Sequence, residues 1–125
     1  MTLFIHRDIK PENIIWTGSR VVLIDFNISS RASSNVVTVS STPNYVPPDG
    51  VGVEWTVDID LYQLGITMLQ VVLGIENIEG PSLDDIHTLA KEELSLRLSR
   101  VLIKMTSPQR AGRYDSADEI IRALK

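Results

Sequence analysis

A histidine, two cations, two carboxylates and an asparagine crowd into eight positions, His6-Arg7-Asp8-Ile9-Lys10-Pro11-Glu12-Asn13. Apolar runs bracket them, Leu3-Phe4-Ile5 before and Ile14-Ile15-Trp16 after. A charged run in that setting reads as a loop held rigidly between short strands, and such loops carry sites. Lys10 follows Asp8 by two positions, so in an extended loop the two side chains point the same way. Asp25 lies twelve residues beyond Asn13. Both are hard oxygen donors of the kind that hold Mg2+ together with phosphate groups. Taken singly, each residue also has a plainer role. Asp8 and Asn13 would make local turn bonds, Asp25 would end a strand, and Lys10 would be a surface cation.

The elements that must position these groups follow from periodicity and turn chemistry. Residues 3–5 read as a short strand entering the loop, and residues 13–16 and 21–25 as a strand pair. Thr17-Gly18-Ser19-Arg20 supplies the turn, with Gly18 free to take positive φ. That pairing sets Asn13 and Asp25 at the same end of a hairpin. Residues 28–49 are rich in Ser and Thr, lack helical periodicity and read as a long loop closed by Pro43 and the Pro47-Pro48-Asp49-Gly50 turn. Residues 58–74 read as a helix apolar almost all the way round, hence buried, with Gly74 as C-cap. Ser82 caps a helix reaching to about Lys91. Leu94, Leu98, Val101, Leu102 and Met105 give a third helical stripe that ends before Pro108. Ser116 with Glu119 forms a capping box for a last short helix. The fold class is therefore mainly α with a small β-hairpin.

The stretch from His6 to Asn13 resembles the catalytic loop of eukaryotic-type protein kinases, H-R-D-x-K-x-x-x-N, and Asp25-Phe26-Asn27 stands where that family has D-F-G. Thr42-Pro43-Asn44-Tyr45 resembles the substrate-docking T-P-x-Y, and Pro47-Pro48-Asp49 stands at A-P-E. Asp60, Tyr62 and Gly65 match D-x-W-x-x-G. The resemblance reaches the C-terminus and implies the lower lobe of a serine/threonine kinase. Residues 1–27 would be the catalytic loop and magnesium-binding hairpin, 28–49 the activation segment, and 50–125 a single helical subdomain with the helices the family letters F to I.

The resemblance implies ATP and Mg2+ as cofactors and a protein as substrate. Asp8 would be the catalytic base and Lys10 would stabilise the transferred phosphate. Asn13 and Asp25 would hold the metal, and Ile15 would lie under the adenine. Arg7 would pair with a phosphate on the activation segment, where Thr38, Ser40 and Ser41 are candidates, and Thr42 would meet the substrate. His6, Phe26, Asp49, Asp60 and Arg113 would be structural. Among them, Asp49 would pair with Arg113, and Asp60 would accept hydrogen bonds from the backbone around His6 and Arg7. Two positions depart from the family pattern: Asn27 replaces a glycine and Asp49 a glutamate.

At 125 residues with 43% apolar residues, the chain is one domain with a core of its own. The net charge of −4 argues against nucleic-acid or membrane surfaces as partners. The absence of cysteine fits a reducing, cytoplasmic setting. No signal peptide or membrane span is recognisable. No Gly-rich loop, strand lysine or helix glutamate precedes the catalytic loop in this sequence. The expectation is therefore half of an enzyme, inactive alone, whose upper lobe lies on an upstream segment or a second polypeptide. An uncovered face of the 58–74 helix is expected to drive self-association. The alternative is a pseudokinase-like remnant that serves as a protein-binding module.

Overall fold

The computed structural model describes residues 9–24, 45–49 and 56–125. The first described element is a single 3-10 turn, Pro11–Asn13, with proline at its start where a missing N–H costs nothing. It leads into β1 (Ile14–Trp16), which pairs antiparallel with β2 (Val21–Leu23) in the register Ile14↔Leu23, Ile15↔Val22, Trp16↔Val21. The turn between them is closed by the Thr17 N–H donating to the Arg20 carbonyl at 3.0 Å. Gly18 sits there at φ 95°, as a left-handed turn position requires. The hairpin extends one step further, since the Ile24 N–H donates to the Asn13 carbonyl at 2.8 Å.

Four helices follow: α1 (Val57–Leu73), α2 (Leu83–Glu93), α3 (Leu96–Met105) and α4 (Ala117–Leu124). Their ends are set by local chemistry. Gly74 takes the left-handed conformation that closes α1, φ 68°. Ser82 accepts from the Asp85 N–H, Ser95 from the Leu98 N–H and Ser116 from the Glu119 N–H, each capping a helix start. The Glu119 carboxylate reaches back one residue beyond a standard capping box, to the Asp115 N–H at 3.1 Å. The expected stripe through Leu94 is interrupted. Leu94 is extended and ends α2, and α3 starts anew at the Ser95 cap.

The core lies among the four helices, around Tyr62, Ile66 and Leu69 of α1, Ile86 and Ala90 of α2, Leu102 and Met105 of α3, and Ile120 of α4. Helix α1 packs against α3 so closely that a β-carbon on Gly65 would stand 2.8 Å from Thr106 Cγ2 and 2.9 Å from Met105 Cβ. The reading of α1 as buried all round is corrected at its C-terminal end, where Val71 and Val72 are 63% and 44% exposed. Among the described residues no helix is long and apolar enough to cross a membrane.

Candidate functional site

Helix α1 carries a polar stripe through its apolar sequence: Asp60, Gln63, Thr67 and Gln70, spaced three, four and three residues apart and so aligned on one face. Three of these hold the loops that cover that face. The Gln63 side-chain oxygen accepts from the Ile9 N–H at 3.0 Å, and the Thr67 hydroxyl donates to the Ile9 carbonyl at 3.3 Å. One residue of the charged loop is thereby held by both of its backbone polar groups, and its side chain is buried. Gln70 accepts a hydrogen bond from the Tyr45 hydroxyl. Burial, then the Glu12 carboxylate, push the Tyr45 phenol up to about 12, against a smaller lowering from the Thr67 hydroxyl, so Tyr45 remains a neutral donor. Asp60 is buried on the same stripe. Gln63, Thr67 and Gln70 were not singled out from the sequence. Their signal is the helical spacing of the few polar residues within an apolar run.

Immediately after the clamped Ile9, Lys10 is half-buried, and its carbonyl accepts the Asn13 N–H at 2.9 Å to close the 3-10 turn. Asn13 is buried, 5% exposed. Its position is fixed from both sides, by the turn and by the Ile24 N–H on its carbonyl. Ile15, on β1, is 45% exposed. Lys10, Asn13 and Ile15 therefore lie within one turn and one strand, presenting a cation, a neutral oxygen donor and an apolar surface. His6, Arg7, Asp8, Asp25, Phe26 and Thr42, together with Asn27, lie outside the described residues.

A second polar centre ties the end of the long loop to the helices. Arg113 follows the 3-10 turn Arg110–Gly112 and is buried. Its guanidinium meets the Asp49 carboxylate at 3.3 Å, the Asp58 carboxylate at 3.3 Å and the Ser107 carbonyl at 2.8 Å. The Arg110 N–H also donates to Asp49, and the Arg110 guanidinium lies 3.5 Å from Asp58. Asp58, in the first turn of α1, was not foreseen as a partner. It supplies a second carboxylate where the shorter aspartate replaces the glutamate of the resembled pattern. Arg113 also lies over the Tyr62 ring, 5.4 Å from its centroid. Burial drives the Tyr62 phenol up to about 12 despite that cation, with Asp49 adding to the rise. Val46 packs with Ile59 beside this centre.

Two features thus converge on α1: a charged loop clamped by its polar stripe, and a loop end anchored by a buried arginine at its N-terminus. The protein kinase domain family matches residues 2–124, and the chain belongs to that family. It is 27% identical over 132 residues to the serine/threonine-protein kinase PEPKR2 of Arabidopsis thaliana, covering 94% of this chain and 28% of that protein. It is 30% identical over 124 residues to the serine/threonine-protein kinase PknG of Mycobacterium leprae, covering 96% of this chain and 16% of that protein. It is 41% identical over 81 residues to an Aurora kinase of Schizosaccharomyces pombe, covering 62% of this chain and 23% of that protein. The chain spans less than a third of the length of each of these relatives.

Proposed function

We propose that this chain is the lower half of a serine/threonine protein kinase, which transfers the terminal phosphoryl group of ATP to a protein hydroxyl once paired with an upper half. The observation that carries the reading is the clamp on Ile9. It fixes the backbone between Asp8 and Lys10 on a helix, as positional catalysis of phosphoryl transfer requires. Asp8 accepts the proton of the substrate hydroxyl as its oxygen bonds to phosphorus and the bond to the ADP oxygen breaks. Lys10 offsets the charge on the phosphoryl oxygens. Asn13 and Asp25 would hold Mg2+, which when bound neutralises phosphate charge. The donor set suits it, because magnesium takes one or two protein oxygens and completes its shell with phosphate and water. Ile15 gives the adenine an apolar contact, Arg7 takes a phosphate on the activation segment, and Thr42 meets the substrate.

The hairpin supports a missing counterpart. Trp16 and Val21, paired across the strands, are 66% and 62% exposed, so apolar surface faces outward there. Its proposed cover is the upper lobe, supplied by an upstream segment or a second polypeptide. The absence of cysteine from the sequence supports a cytoplasmic enzyme. The second reading, a kinase-derived binding module, draws on Asn27, Asp49 and the exposed Val71 and Val72.

The test compares the chain alone with the chain joined to, or mixed with, the upper half, using Mg-ATP and a generic serine/threonine substrate. No turnover is expected from the chain alone. Turnover is expected from the pair, and it should vanish in Asp8→Ala. Turnover by the chain alone that Asp8→Ala abolishes would refute the need for a partner. A pair that stays inactive would favour the binding module. The chain alone should still show a small melting shift with millimolar Mg-ATP, a few tenths of a kcal/mol near the dissociation constant. That shift should shrink in Asp25→Ala, and an unchanged shift would place the nucleotide elsewhere.

A further inference from the structure

A groove of about 470 Å³ runs between α2 and α3, and none of its lining residues has a part in the proposed chemistry. Its rim carries His87 and Lys91 of α2 facing Arg100 and Lys104 of α3, each pair four residues apart and so stacked along its helix. Leu96 and Ile103 give it an apolar floor, and among the described residues no carboxylate lines it. Lys91, Arg100 and Lys104 are exposed, and among the described residues no aspartate or glutamate forms an ion pair with any of them. Lys104 is held 4.6 Å over the Tyr114 ring. Leu96 is 66% exposed. His87 adds no charge at neutral pH. Its Nε2–H donates to the Thr106 hydroxyl at 2.7 Å, since that hydroxyl itself donates to the Leu102 carbonyl at 2.8 Å.

This concentration of positive charge stands out in a chain whose net charge is −4. It is also one-sided. The opposite flank of α2 borders a smaller hollow edged by Asp85 and Glu92. Asp84, on the same face of α2 as His87 and Lys91, acts on His87 but does not line the groove.

We propose that the α2–α3 groove docks an acidic peptide segment of a partner protein, with one large apolar side chain seated on Leu96 and Ile103 and carboxylates on Lys91, Arg100 and Lys104. A free inorganic anion would leave the apolar floor unused, and an uncharged peptide would leave three cations without partners. The volume is that of a small ligand site, enough for one aromatic side chain and its flanking backbone. Docking here is separate from phosphoryl transfer, so its test needs no kinase activity.

The experiment is fluorescence anisotropy with the whole chain and three labelled peptides. The first carries one tryptophan within a run of glutamates, the second is the same glutamate run without tryptophan, and the third replaces the glutamates by lysines. The first should bind, and more weakly as salt rises. The other two should bind at least about tenfold more weakly. Lys91→Glu with Arg100→Glu, and separately Leu96→Ser, should each weaken the first peptide by about tenfold or more. All three side chains are exposed, so the helical circular dichroism should not change. Amide shift changes on binding should cluster on α2 and α3. Equal binding of the peptide lacking tryptophan, affinity unaltered by the substitutions, or no binding of the first peptide would overturn the proposal.

Discussion

Arg113 shows how much rests on single side chains. It joins a loop end through Asp49, a helix start through Asp58 and the turn after α3 through the Ser107 carbonyl. Removing it would leave Asp49 and Asp58, the latter only 11% exposed, with lesser partners, the Arg110 N–H and the exposed Arg110 guanidinium. Breaking a buried pair costs several kcal/mol, and the partial exposure of Asp49 reduces that, so Arg113→Ala should lower stability by about 2–3 kcal/mol. Arg113→Lys should recover little, because an ammonium cannot span both carboxylates and the carbonyl as a planar fork does. Urea unfolding of the two variants checks this, and a lysine variant as stable as the parent would contradict it. Asp49 was legible because Pro47-Pro48-Asp49 stands at a recognisable motif, and Arg113 only as the partner the resemblance implies for it. Asp58 was not, because a first-turn aspartate reads as an ordinary response to the helix dipole.

His87 offers a pH-dependent readout at the same scale. Burial holds its pKa below the ordinary 6.5, with Asp84 opposing and Lys91 assisting. Above 6.5 the ring is neutral in folded and unfolded chains alike, and no penalty arises. As pH falls below that value the unfolded chain takes up the proton first. Stability is therefore lost as pH drops through the folded-state value and levels off beneath it. His87→Gln, which keeps an amide donor for Thr106, should flatten that part of the stability–pH curve. An identical acid limb in parent and variant would rule out His87 as its source.

Among the elements, hairpin and helix ends were the most legible because their causes are local. A turn that needs positive φ takes Gly18, a left-handed cap takes Gly74, and serines accept the orphan N–H groups at helix starts. The break between α2 and α3 was legible, but Leu94 was counted with the third helix because it fits the apolar rhythm, whereas it ends α2 and Ser95 caps the new helix. The polar stripe on α1 was hidden by the majority around it, since apolar count says burial without saying against what. Gly65 illustrates the difference between propensity and packing. Alanine there would gain about 1 kcal/mol in helix propensity. Its methyl would sit under 3 Å from Thr106 and Met105 on α3, and overpacking of that kind costs about 1–3 kcal/mol. Gly65→Ala should therefore be neutral to destabilising. A clear rise in melting temperature would show that α1 and α3 separate without cost.

At the scale of the whole molecule, apolar side chains remain open on α3 at Leu96, on α4 at Ile121 and Leu124, and in two further groups. Trp16, Val21 and Ile15 stand out on the hairpin, and Val71 and Val72 at the end of α1. A stable association needs on the order of 1,000 Å² of buried surface, more than the two valines supply, so the hairpin is the stronger contributor. The chain alone is expected to sediment faster than a monomer at micromolar concentration and to bind a hydrophobic dye. Trp16→Glu should reduce both effects, and addition of the upper half should abolish them. A dye-silent monomer with a cooperative melt would argue that no counterpart is needed.

The bond pair on Ile9 has a consequence for how the molecule comes apart. Loops commonly open on their own, well below the energy of global unfolding, and their amides exchange quickly with solvent. Ile9 is tied by donor and acceptor to the middle of α1, whose neighbouring residues Tyr62 and Ile66 form the centre of the core. The charged loop should therefore have no private opening at that residue and should belong to the same cooperative unit as the helix. The Ile9 amide is expected to exchange with deuterium as slowly as amides in the centre of α1. Gln63→Ala should release it to loop-like rates, while Gln63→Glu, which keeps the acceptor, should not. In the parent chain, the geometry around the charged loop would then persist on warming until α1 itself melts.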